Sequence, residues 1–249
     1  MRTQNIAKVA VETSDLGQGT LKNIGLRALQ STLTMIIPVL LTLIAVRLVM
    51  TPQFLRLEYQ RPGFPDDPFG LTTDERLNYA PYALNYLLNS ADITYLSDLR
   101  FPDGARLFNS RELRHMHDVK SVTRFSFQLL TVLAVVTLSV SIVLLRSTAN
   151  RVRLKRALFN GAILTLGLIA AIVIVAVVSW NTFFVSFHQA FFSGQSWLFA
   201  YSDTLIRLFP EQFWFDASLG IGVLTTLMAS LLLAAAWLWK PAAHPRINP

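Results

Sequence analysis

"FSFQLLTVLAVVTLSVSIVLLRSTANRVRLKRALFNGAILTLGLIAAIVIVAVVSW" (residues 125–180) decides the fold class. Two apolar blocks, Phe125–Leu145 and Ala157–Trp180, flank a link that carries Arg146, Arg151, Arg153, Lys155 and Arg156 and no acid. A helix needs about 20 apolar residues to cross the roughly 30 Å hydrocarbon core, and each block has them. Backbone polar groups in lipid must be satisfied within the segment, so each block reads as a helix. Two further blocks of the same kind, Leu29–Met50 and Ala217–Trp239, lie on either side. None of the four contains an acidic residue. Arg47 is the one basic residue and sits near an end, where a long side chain reaches the interface. Pro38 is expected to bend the first block. The sequence predicts an all-α membrane protein with four transmembrane helices.

Composition agrees. Of 249 residues 53% are apolar and 15% charged, against roughly 25% charged in an average soluble domain. A chain without cysteine has no disulfide, thiolate metal ligand, cysteine nucleophile or lipid-modified cysteine of its own. The net charge of +7 does not point to nucleic acid, because no basic stretch is interleaved with aromatics. It follows membrane topology instead.

Arg2, Lys8, Lys22 and Arg27 precede the first block, five basic residues fill the 146–156 link, and Lys240 and Arg246 follow the fourth block. The positive-inside rule makes all three regions cytoplasmic. Residues 51–121 hold ten acids against eight bases, and residues 181–216 three against one, so both are expected to face outward. The expected organisation is a cytoplasmic N-terminal tail (1–28), a four-span domain (29–239) carrying those two outward segments, and a cytoplasmic C-terminal tail (240–249). The first block is too long for a cleavable signal and no small-residue cleavage site follows it. With little but basic anchors inside, function is expected outside.

The outward segments carry local helix signals. Thr72 followed by Glu75 is a capping box that opens a helix over 73–89. Pro81 is expected to kink it, and Tyr79, Tyr82 and Tyr86 to lie along one side at the headgroup surface. Pro62, Gly63, Pro65 and Pro68 mark a turn-rich approach, in which Asp66 and Asp67 suit turns better than a calcium loop. Asn109 or Ser110 caps a second helix, with Glu112 three residues after Asn109. No glycine or proline follows before Arg146, so one helix is expected to start outside and continue as the second span. The third span likewise meets no breaker before Gly194.

Those continuations bring two histidines to similar depth. His115 would stand ~15 Å outside Phe125, and His188 ~12 Å beyond Trp180, at 1.5 Å per residue. Glu112, His115 and Asp118, three apart, share adjoining parts of one helical face, where a carboxylate orients an imidazole. His117 lies about 200° from His115 around the helix and points away. Phe183, Phe184, Phe187, His188, Phe191 and Phe192 form an aromatic surface flanked by Trp180 and Trp197. Such a surface is either an interfacial belt or, for Phe187, Phe191, Phe192 and Trp197, the lining of an acyl-chain slot. No metal is expected: there is no H-E-x-x-H, and histidines two apart on a helix cannot share one ion. No Walker loop, G-x-S-x-G or internal repeat occurs. His244 reads as a solvated tail residue. The remaining choices are an interfacial enzyme or a non-catalytic membrane scaffold or sensor; a transporter would need ionisable groups inside its spans.

The stretches "GFPDDPFGLTTDERLNYAPYALNYLL" (63–88), "LFNSRELRHMHDVK" (107–120), "FHQAFFSGQSWLF" (187–199) and "LIRLFPEQFWFDA" (205–217) resemble a bacterial family of four-span membrane proteins, that of the lipoprotein intramolecular transacylase, Lit. The resemblance runs from the first span to the fourth and leaves out the basic N-terminal extension. It implies a multi-pass protein of the bacterial cytoplasmic membrane with an outward-facing site. It implies transfer of an ester-linked acyl chain from the glyceryl group of a diacylglyceryl lipoprotein to the α-amine of its own N-terminal cysteine. The family's two catalytic histidines correspond to His115 in "HMHDV" and His188 in "FHQAFF"; His117 has no counterpart in the motif. One histidine then serves as general base, with His188 preferred. The other, His115 with Glu112 or Asp118 beside it, stabilises the oxyanion and acts as acid, the two roles being interchangeable. No cofactor is implied. The implied partners are the lipoprotein and membrane lipid, with the chain itself a monomer.

Overall fold

The computed structural model describes residues 2–192 and 194–240, with side chains from Thr20 onward. The chain order is α1 Arg2–Val49, α2 Pro52–Gln60, α3 Thr73–Leu88, α4 Thr94–Ser97, α5 Ser110–Leu145, α6 Thr148–Val178, α7 Trp180–Phe191, α8 Thr204–Leu208 and α9 Glu211–Leu238. Among the described residues there is no strand, only one isolated antiparallel bridge between Arg100 and Arg106. Four helices are long and apolar enough to cross a membrane: Thr20–Val49, Ser110–Leu145, Thr148–Val178 and Glu211–Leu238. They take up all but the last one or two residues of the apolar blocks, whose ends at Met50, Ser179–Trp180 and Trp239 lie beyond them. Pro38 lies inside α1 without ending it, and α1 already begins at Arg2, ahead of the first block. Of the expected C-terminal tail, residues 241–249, with His244 and Arg246, lie outside the described residues.

The chain divides into two compact units. The first comprises Met1–Leu40, Leu133–Leu166 and Met228–Pro249. Its helices meet through small residues: Ala157, Ala162 and Ala229 are fully buried, and a Cβ on Gly161 would fall 2.4 Å from Cδ1 of Ile37. Lys155 of the basic link donates from Nζ to the carbonyls of Trp237 (3.3 Å) and Trp239 (2.7 Å). A cation there satisfies acceptors that the end of α9 leaves unpaired. Leu138, Ile142, Ile163 and Leu231 are exposed, as suits helices bathed in lipid.

The second unit comprises Leu41–Val132 and Gly167–Leu227 and holds the two expected outward segments. Its core gathers Leu55, Tyr59, Ala80, Ala83, Tyr86, Leu96, Phe108, Met116, Leu208 and Phe213. Fully burying one such large side chain contributes about 1.5–3 kcal/mol. Helix α2 lies just before the turn-rich approach at 62–68, in a stretch to which the sequence reading assigns no element. Thr51 caps it by accepting from Phe54 N (3.3 Å), and Pro52 fits its first turn. Helix α3 opens with the expected Thr72–Glu75 capping box.

Four polar ties fasten this core. Tyr59 Oη donates to the Leu208 carbonyl (2.7 Å). Asp67 accepts from Arg207 (2.9 Å) and from Leu71 N (2.7 Å). Arg61 joins Glu58 and Asp216. The buried Lys120 donates to the Ala91 carbonyl (2.5 Å) and Asn89 Oδ1 (3.2 Å), its Nζ 3.7 Å from the centre of the Tyr86 ring. Tyr86, expected on a headgroup-facing surface with Tyr79 and Tyr82, is therefore 1% exposed and a core residue, whereas Tyr82 is exposed. Burial of α3 against α2 and α8 overrides the one-sided aromatic pattern.

Candidate active site

The site belongs wholly to the second unit and stands on two helices and one loop. Helix α5 begins as the capping signal predicts. Asn109 Oδ1 accepts from Arg111 N (2.9 Å) and Glu112 N (3.1 Å), and Glu112 Oε2 accepts from Asn109 N (2.6 Å). From there the helix runs unbroken to Leu145, so His115 is set one turn inside the start, ten residues before the apolar block.

The route to His188 differs from the expected continuous helix. Helix α6 ends at Val178, Ser179 takes a non-helical conformation (φ −150°, ψ 81°), and α7 starts afresh at Trp180. The Ser179 and Thr182 hydroxyls lie 2.7 Å apart, a local hydroxyl contact of the kind that competes with helical backbone bonding. After the break, Trp180 packs edge-on against Phe215 of α9 at 5.2 Å.

The two imidazoles still meet. Their ring centroids are 6.2 Å apart and inclined by 25°. Aromatic rings enclose them: Phe192 (5.1 Å) and Phe199 (5.3 Å) edge-on to His115, Trp197 (4.8 Å) and Phe184 (4.2 Å) against His188. His115 is 7% exposed and His188 half-buried.

His188 Nδ1 lies 2.8 Å from the Phe184 carbonyl. A carbonyl only accepts, so this nitrogen carries the proton and Nε2 keeps its lone pair. His115 Nδ1 and Trp197 Nε1 are buried without a hydrogen-bond partner; an unpaired buried polar atom costs about 1–3 kcal/mol, which a bond to a bound molecule would offset. Desolvation in this apolar shell, reinforced by His188 and opposed by Asp118, pushes His115 down to about 4. Burial also lowers His188, against the effect of its carbonyl bond. Both rings are uncharged at neutral pH.

The other expected residues are placed as follows. Glu112 is 1% exposed, and its oxygens are taken by Asn109 N and by Leu205 N (2.6 Å); it ties the start of α5 to α8 rather than touching an imidazole. Asp118 accepts from Ser196 Oγ (3.4 Å) and lies 3.7 Å from His117 Nδ1, acting on His115 only through its charge. His117 is exposed, as its helical position predicts. Phe187 contacts His188 edge-on (5.7 Å) and Phe191 (4.9 Å), and both phenylalanines are exposed. Phe199 is a member that sequence reasoning missed, since its contact with His115 is long-range. The Phe184–His188 bond was readable in principle, the two residues being one helical turn apart. No group of three or more His, Asp or Glu able to hold a metal occurs among the described residues.

Comparison with known proteins adds four findings. The model of the family described as lipoprotein intramolecular transacylase Lit matches residues 30–214. An Aquifex aeolicus protein described as uncharacterized is 32% identical over 209 residues, covering 84% of this chain and 93% of its own. The structure of the membrane integral lipoprotein intramolecular transacylase Lit from Bacillus cereus is similar at a TM-score of 0.67 and 20% identity, over 86% of this chain and 94% of that one. A variant of it with one histidine replaced by arginine gives a TM-score of 0.67 at 21% identity, over 89% and 95%.

Proposed function

Taking as premise that the chain belongs to the lipoprotein intramolecular transacylase Lit family and is a membrane transacylase, we propose that it performs O-to-N acyl transfer by histidine catalysis. The acyl chain leaves the glyceryl ester of a diacylglyceryl lipoprotein and joins the α-amine of that lipoprotein's N-terminal cysteine. The observation that carries this reading is the pairing of two uncharged imidazoles 6.2 Å apart inside an aromatic shell. That spacing supports the reading because it brings both side chains within reach of one bound substrate molecule.

The substrate supplies its own nucleophile, an amine of pKa ~7.7 that is partly neutral at pH 7. Its nitrogen attacks the ester carbonyl carbon, and His188 Nε2, the free lone pair, takes the proton released. Negative charge gathers on the former carbonyl oxygen. His115, held neutral by burial, donates a hydrogen bond to it, and the unpartnered Trp197 N–H is a second donor. Collapse breaks the bond to the glyceryl oxygen, which leaves with the proton held on His188. One amide forms, one ester is lost, and the imidazole is regenerated. The low value for His115 gives the acid role to His188, leaving His115 as oxyanion donor.

Asp118 supports His115 electrostatically and Glu112 supports it by fixing the start of α5. Phe187, Phe191, Phe192 and Trp197 line the acyl chain's approach. Ester and amine on one bound molecule gain effective molarity, and general acid–base catalysis contributes typically 10²–10⁴-fold. The distribution of lysine and arginine supports, by the positive-inside rule, a site on the outer side of the cytoplasmic membrane with both termini inside.

The test is single-turnover assay of purified protein in bicelles on a diacylglyceryl lipopeptide. His115→Ala or His188→Ala is expected to lower the rate of amide formation at least 10²-fold, with thermal stability retained. Wild-type rates in either variant would falsify the assignment.

A further inference from the structure

The loop 194–199 presents its residues to two different places. Trp197 and Phe199 pack on His188 and His115. Gln195, Ser196 and Leu198 instead line, with Arg111 and Arg114 of α5, a polar cleft of about 420 Å³, within the range of ligand sites. The cleft therefore lies back to back with the histidine pocket, one loop away. Arg111 Nη1 donates to the Leu198 carbonyl (3.2 Å) and orders that loop. Arg114 is exposed and has no hydrogen-bond or ion-pair partner among the described residues. It stands one residue before His115 on the same helix.

The donor set has a chemical preference. Two guanidinium groups offer donors in fixed forks, and the Gln195 amide and Ser196 hydroxyl both donate and accept. An extended polypeptide, with a carbonyl and an N–H on each residue, matches this mixture. A lipid phosphate matches it less well, because the Asp118 carboxylate, accepting from Ser196 Oγ at 3.4 Å, puts negative charge at the rim. A lipoprotein whose reacting end sits between the imidazoles must also lead its polypeptide away from the aromatic shell. This cleft is a polar surface adjoining that shell.

We infer that the Arg111–Arg114 cleft binds the polypeptide of the lipoprotein, over the first residues beyond its lipid-bearing N-terminus, by donating to main-chain carbonyls. The inference rests on the O-to-N reading above. It makes the chain a reader of the protein part of its substrate as well as of the lipid part.

The test compares two substrates on the full-length protein in bicelles: diacylglyceryl-cysteine amide, and the same group carrying five further residues. For the wild type, KM for the longer substrate is expected to be about tenfold lower. R114M is expected to collapse that ratio toward one, and Q195A to reduce it, while kcat on the longer substrate changes little. Equal wild-type KM values, or a ratio that R114M leaves intact, overturn the inference alone. So does an R114M effect that appears equally on both substrates and scales with the phosphatidylglycerol content of the bicelle, which identifies a lipid headgroup as the occupant. Turnover of neither substrate by the wild type overturns the O-to-N reading and this inference with it.

Discussion

Replacing Glu112 with glutamine separates a residue that builds the site from one that works in it. Both carboxylate oxygens are buried and accept backbone N–H groups at 2.6 Å, one from Asn109 at the start of α5 and one from Leu205 at the start of α8. Glutamine keeps one acceptor oxygen but turns an amino group toward the other N–H. A hydrogen bond to a charged group contributes about 1.5–3 kcal/mol, and relief of the buried charge, whose cost raises the Glu112 pKa, offsets part of its loss. The net cost is expected to be about 2 kcal/mol, or roughly 4–8 °C in Tm for a chain of this size. Circular dichroism in detergent measures the melting. Turnover of a diacylglyceryl lipopeptide, assayed well below both transitions, is expected to fall less than about tenfold, because His115 follows on an otherwise intact helix. An unchanged Tm accompanied by loss of turnover would refute this reasoning and put Glu112 into the chemistry.

Two further predictions follow from the imidazole environment. His115, held at about 4, and His188, also lowered, are uncharged down to below the ordinary histidine value of ~6.5. Above pH 6.5 the acid limb of kcat/KM is therefore expected to reflect only the substrate amine near 7.7, approaching a slope of one as pH falls toward 6.5; a slope of two there would show a histidine titrating as well. The same depression has a stability consequence. The unfolded chain takes up protons at these histidines from about pH 6.5 downward while the folded chain resists until about 4 for His115, so stability is full above 6.5 and declines as pH falls through that window; a Tm independent of pH from 7 to 5 would contradict the burial argument. Finally, Trp197→Phe keeps a ring on His188 but removes the indole N–H. It is expected to lower kcat by up to about 10² with little change in KM, and an unaltered kcat would remove Trp197 as a donor.

The spans were legible because hydropathy is a local property: each apolar block coincides, but for one or two residues at its end, with part of one long helix. The helix starts at Thr72 and Asn109 were legible for the same reason, since a cap and its partner are three residues apart. His115 and His188 could be brought to similar depth from the rise of two helices, and their rings do meet. What stayed hidden depends on partners distant in the chain. Tyr86 is buried by Lys120, 34 positions on, and Glu112 reaches Leu205. Phe199 closes on His115 from a loop. The break at Ser179 escaped a reading in which only glycine and proline interrupt helices. The Arg111–Arg114 cleft escaped because its other wall comes from residues 195–198.

The most direct test of the two-histidine account is tandem mass spectrometry of lipoprotein N-termini from a bacterial host lacking any other N-acylating activity, producing either the wild-type chain or His188→Ala. The account predicts a lyso-type N-terminus in the first, with one amide-linked acyl chain on the cysteine and one ester fewer on the glyceryl group, and unchanged diacylglyceryl-cysteine with a free amine in the second. Identical N-termini from the two strains would contradict it.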